Sequence, residues 1–133
     1  MTLVEHVING KKYVYDHHRV GDETVSTYIG PSNQIALKDR IQDSKSLRDH
    51  PNYLRAHNAA NKAEQKEYGS KRFDKLNEEI RDKLSDKELA GKHTKDGKLK
   101  ASTKIDKKFL GQVLFHERIE NSIMVNKNKK KKL

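Results

Sequence analysis

The chain has no cysteine and no tryptophan, only two prolines, and an apolar fraction of 32% over 133 residues. Without cysteine there is no disulfide, no thiolate nucleophile and no thiolate metal ligand, so a metal site would have to be assembled from histidine and carboxylate. So little apolar material supports one small core with many residues on solvated faces, the size of a single domain or of a small domain with an appendage. Long hydrophobic runs are also missing: none approaches the roughly 20 residues that a membrane-spanning helix needs. The N-terminal MTLVEHVINGKKYVY lacks the basic-then-apolar order of a secretory leader. No phosphate-binding glycine loop, nucleophile elbow, zinc-finger spacing or dinucleotide fingerprint occurs. The expectation is an intracellular, cytoplasmic protein with no membrane partner.

What is present is charge, 36% of all residues with a net of +10, and it is unevenly placed. Residues 1–31 carry 3 basic and 4 acidic side chains, net −1; residues 32–91 carry 13 and 11, net +2; residues 92–133 carry 13 and 4, net +9. A basic last third is the footprint of a polyanion contact, because clustered lysines displace counterions from phosphates whatever the base sequence. Lys98, Lys100, Lys104, Lys107 and Lys108 are candidate phosphate contacts, with Lys127, Lys129, Lys130, Lys131 and Lys132 of the tail. Lysine dominates over arginine, which favours point-charge attraction over bidentate readout. A solubilising terminus is the other reading of the tail.

Local pattern gives an α+β class. Leu3 to Ile8, Lys12 to Val20 and Thr24 to Ile29 read as a three-stranded antiparallel meander, joined by the hairpin signals Asn9-Gly10 and Gly21-Asp22. Tyr13, Tyr15 and His17 alternate with Val14, Asp16 and His18. Tyr13, Tyr15 and Tyr28 are suited either to stacking on bases or to filling a half-buried sheet face. From Ser32 the pattern turns helical. A first helix carries Ile35, Leu37 and Ile41, a second starts near Asp49 and Pro51 and stops at Gly69, and a third opens at Ser70 with Phe73, Leu76, Ile80 and Leu84 in register. Ser85 with Glu88 matches a capping box and predicts a further turn of helix. Asp96-Gly97 predicts a short β element, after which Asp106 caps a buried C-terminal helix. The domain reading is a meander over 1–31, a helical unit with a short β element over 32–125, and a disordered basic tail over 126–133.

That last helix, FLGQVLFHERIENSIM from Phe109 to Met124, is apolar around most of its circumference and therefore buried. It also carries the chain's most chemical constellation. His116 and Glu120 lie one turn apart on one face with Glu117 between them. Imidazole and carboxylate at this spacing can share a divalent metal such as zinc, leaving Glu117 as general base. A third ligand has to come from His93, His57 or His50. The structural alternative pairs Glu117 and Glu120 with Arg118 or with cations of neighbouring helices and makes His116 a satisfied core histidine.

Two resemblances add to this. GKKYVYDHHRVGDETVSTYIGP resembles a small β-meander at the N-terminus of some transposases and of archaeal and phage proteins, which implies association with mobile elements or viruses and with nucleic acid. The run His116-Glu117-Arg118-Ile119-Glu120 resembles the HExxH active-site helix of zincin-type zinc peptidases, which implies His116 as ligand, Glu117 as base and Glu120 in place of the second histidine. The preferred function is a small nucleic-acid-associated protein, DNA or RNA, gripping phosphates with its C-terminal third. The competing one is a zincin-like metal-dependent hydrolase with a degenerate HExxE site. A non-catalytic module for a protein partner is the third.

Overall fold

The computed structural model describes residues 3–42 and 50–131, those beyond Val125 as backbone only. Among the described residues it is an α+β fold of two three-stranded sheets and three α-helices. The first sheet is the expected meander, β1 (Leu3–Ile8), β2 (Lys11–Val20) and β3 (Glu23–Pro31), antiparallel in the order β1-β2-β3. Asn9 and Gly10 take φ of 53° and 78°, the left-handed pair that a two-residue hairpin turn needs. Alternation along β2 sorts the faces: Asp16 and His18 point inward and are buried, while Tyr13, Tyr15 and Tyr28 cluster on the outer face with His6 and His17.

The helix expected over Ile35 to Ile41 does not form. A 3-10 turn (Ser32–Gln34) leads into β4 (Ile35–Lys38), which pairs in parallel with β6 (Leu99–Ser102); β6 in turn pairs antiparallel with β5 (Gly91–His93). The apolar residues Ile35 and Leu37 are two apart, a strand period, and the distant β6 supplies backbone partners that the sequence alone does not reveal. Of these two only Ile35 packs against the core, Leu37 being 46% exposed, while Ile41 beyond the strand is buried.

Helices α1 (Tyr53–Tyr68) and α2 (Ser70–Lys83) meet at Gly69, whose φ of 93° ends one and starts the other. The expected cap Asp49 lies outside the described residues; instead Asn52 N–H is received by His50 Nδ1 at 3.1 Å. The Ser85/Glu88 box closes a single turn, with Ser85 Oγ donating to Glu88 Oε1 at 3.1 Å, but no helix follows because Glu88 bridges Gln42 instead. Asp106 caps α3 (Lys107–Lys131) by accepting Lys108 N–H at 3.1 Å. The backbone of α3 continues through Lys131, past the point where the sequence places a disordered tail; C-terminal lysines favour the helix dipole. Lys132 lies outside the described residues.

The core is built around α3. Phe109, Leu110, Val113, Leu114 and Phe115 pack with Ile29 of the meander, Tyr68 and Leu76 of the helices, and Leu99 and Ala101 of β6, so both sheets share one core. The meander is fastened by a buried polar contact in which Tyr68 O–H donates to Asp16, with His18 stacked on Tyr68 at 4.1 Å. Asp16 presses on Gly111 of α3, where a Cβ would stand 2.2 Å from Asp16 Cγ, so only glycine lets the strand come this close. Ala56 and Ala60, both fully buried, bring α1 against α3 in the same way. That approach creates the site.

Candidate metal centre

Seven-residue spacing puts His57 and Glu64 on one face of α1, and four-residue spacing puts Gln112, His116 and Glu120 on one face of α3. The two faces interleave. His57 Nδ1 and His116 Nε2 each lie 2.6 Å from Glu120 Oε2, and the two nitrogens are 3.3 Å apart. His116 Nδ1–H donates to Glu64 Oε1 at 2.9 Å, Gln112 Nε2–H to Glu64 Oε2 at 2.5 Å, and Arg72 Nε–H to Gln112 Oε1 at 3.1 Å. A relay of side chains thus runs from Arg72 on α2 to the Nε2 of His116, fixing both the ring and the nitrogen it presents inward.

A second triangle adjoins the first. His93 Nδ1 at the end of β5 lies 3.0 Å from Glu117 Oε1 and 3.6 Å from Glu120 Oε1. The side chains of His93, His116, Glu117 and Glu120 are 3%, 12%, 12% and 2% exposed, and His57 is the open member at 37%. A cavity of about 370 Å³ opens beside them, lined by Tyr53, His57, Asn61, His116, Glu117 and Glu120 among others.

Held by protons alone, the cluster is strongly polarised. Burial by itself would lower the His116 pKa, but hydrogen bonds to Glu120 and Glu64 push it up to about 10. Burial would raise Glu120, yet its bonds from His116 and His57 bring it down to about 2. The same donors suit a cation. Ligands about 2.1 Å from a tetrahedral ion stand about 3.4 Å apart, close to the 3.3 Å between the two imidazole nitrogens, whereas the 2.6 Å contacts to Glu120 are hydrogen-bond distances that would have to lengthen for an ion to be held there. His57, His116 and Glu120 form one candidate ligand set, and His93, Glu117 and Glu120 another.

His116, Glu117 and Glu120 are therefore brought together as the spacing suggests, with His57 completing their set and His93 adjoining it. His50 is not part of the group, being occupied at the start of α1. Glu64 and Gln112 escaped the sequence reading, although HxxxxxxE on an alanine-lined helix face and the i, i+4, i+8 series 112-116-120 were both visible. Of the candidate phosphate lysines, Lys98 pairs with Asp96 at 3.9 Å and Lys104 with Glu88 at 2.7 Å, while Lys108 lies over the Phe109 ring. Lys107 stands at the first residue of α3, and Lys100 lies on β6. Side chains from Lys127 onward lie outside the described residues. No helix among the described residues is long and apolar enough to cross a membrane.

The fold and cluster define an α+β protein with a buried histidine–carboxylate centre beside a cavity. Comparison with family models, with curated proteins and with solved structures finds no match to this chain.

Proposed function

We propose that the protein is a divalent-cation-dependent hydrolase whose cation is held by His57, His116 and Glu120. The observation that carries this is the convergence of three donor atoms from α1 and α3 on one point at the wall of a cavity, with Glu64 fixing the His116 tautomer from behind. A cation held by these residues would acidify water and polarise the bond to be cleaved. Glu117, facing the same cavity, accepts a proton from the attacking water and returns it to the leaving group, as the HExxE resemblance implies. His57, the open member, sets the side from which substrate enters.

The test is elemental analysis of purified and reconstituted protein, with chelator-sensitive hydrolysis of a fluorogenic peptide and of an activated phosphodiester. Metal at the His57 set lost in His116→Ala, with turnover lost in Glu117→Gln while metal at the His57 set remains, is the expected result. Absence of metal after reconstitution with zinc, manganese or cobalt would sink the reading.

A second reading, association with nucleic acid, is supported by a surface that shares only Lys108 with the lysines the sequence suggests. Arg19, Lys71, Arg72, Lys75 and Lys108, drawn from three separate segments, line an open groove of about 490 Å³ with no acidic residue on its wall among the described residues. Such a groove suits a phosphodiester backbone without base readout.

A further inference from the structure

The two ligand triangles share a residue but not an atom. Glu120 turns Oε2 to His57 and His116 and Oε1 to His93. A carboxylate whose two oxygens face two separate donor sets is the geometry of a bridging ligand, and two-metal sites hold their ions about 3.5–4 Å apart. We infer that the centre takes two divalent cations, the second held by His93, Glu117 and Glu120, with Glu120 bridging to the first. This rests on the metal-dependent reading above and deepens it.

Three further observations favour a second ion over a mere ion pair. His93 is 2% exposed, and its ring is turned so that Nδ1 faces the carboxylates of Glu117 and Glu120 while Nε2 meets no partner among the described residues, which makes Nδ1 the donor atom it brings to this point. Its Nδ1 stands 3.0 Å and 3.6 Å from the two carboxylates, spacings of the order found between neighbouring ligands around an ion about 2.0–2.2 Å from each. The chain also contributes a glycine to this approach. A Cβ on Gly91 would lie 2.6 Å from Val113 Cγ1 and 2.9 Å from Glu117 Cγ, so its absence lets β5 lie directly on α3. Gly91 and His93 are two apart on β5 and share its face. The same omission of a side chain thereby delivers His93 to Glu117 and Glu120.

Mixed imidazole and carboxylate donors suit manganese, cobalt, iron or zinc rather than calcium. In the doubly loaded protein Glu117 is a ligand; with the second position empty it keeps the proton-accepting part described above.

Manganese(II) separates the cases, because the ion reports both stoichiometry and coupling. The intact chain should bind two ions by calorimetry and show an exchange-coupled electron paramagnetic resonance spectrum. His93→Ala and the milder Glu117→Gln should each weaken the second ion at least about 10-fold, abolish the coupling and leave the first ion bound. His57→Ala should do the converse, and circular dichroism of each variant establishes that it is folded. One ion in the intact chain, unaffected by His93→Ala, would overturn the second position while leaving the hydrolase reading standing. Two ions without coupling would overturn the Glu120 bridge. No manganese, zinc or cobalt in any variant would overturn both.

Discussion

Gly111 stands near the start of α3, where helix propensity alone favours alanine by about 1 kcal/mol. Packing demands the opposite. An added Cβ would lie 2.2 Å from Asp16 Cγ and 2.5 Å from its Oδ2, and Asp16 is wholly buried and bonded to Tyr68. Relief requires shifting β2 from α3, an overpacking cost of about 1–3 kcal/mol, and that shift gives up the buried Tyr68–Asp16 hydrogen bond for about 1–3 kcal/mol more. Net of the propensity gain, Gly111→Ala should destabilise by roughly 1–5 kcal/mol, read as a lower urea midpoint at unchanged slope. In an Asp16→Gly background the three nearest atoms that meet the new methyl are gone. There the same substitution should stabilise, by up to about 1 kcal/mol. A reversal of sign between backgrounds is a coupling that independent sites do not show. Equal effects in the two backgrounds, or a Gly111→Ala chain as stable as the parent, would refute the close approach of meander and helix.

The cation-free protein should show a defined pH window. His116 has a folded pKa raised from 6.5 to about 10, so its stabilising share is complete below about 6.5 and is lost as pH rises through about 10. Glu120 is lowered from 4.5 to about 2, so its share is complete above about 4.5 and is lost as pH falls through about 2. Thermal melts in chelator should therefore be most favourable for this pair between about 4.5 and 6.5; a midpoint still climbing from pH 7 to 10 would contradict the pairing. Glu64→Gln should weaken the first cation about 10- to 100-fold in a competition titration, since it alters the partner of His116 Nδ1 without touching a ligand. Asp106→Ala should cost about 1 kcal/mol in urea unfolding by removing the cap on Lys108 N–H. Charge reversal at Lys71, Lys75 and Lys108 together should weaken oligonucleotide binding and flatten its salt dependence more than reversal at Lys98 and Lys104, with fluorescence anisotropy as the readout.

The meander and the burial of α3 are legible in the amino-acid order itself, because both rest on local rules: a turn dipeptide that tolerates positive φ, strict alternation along β2, and an apolar surface too wide to leave in water. The same locality put His116 and Glu120 on one face and made Asp106 a cap. What one turn of helix cannot reveal is who stands opposite. His57 and Glu64 enter the site only because Ala56 and Ala60 let α1 close on α3, and His93 enters only because Gly91 lets β5 do likewise. Residues 35–38 became a strand for a related reason, since their hydrogen-bond partners lie on Leu99–Ser102, far along the chain. Two of the lysines that form one run in the sequence, Lys98 and Lys104, stand against acidic neighbours, and a basic groove arose from segments with no common motif. Composition and periodicity thus determined the elements and the kind of donor available, histidine and carboxylate in a chain without cysteine. Which donors meet was decided by small residues at the contacts between elements, whose effect exists only once the elements are packed.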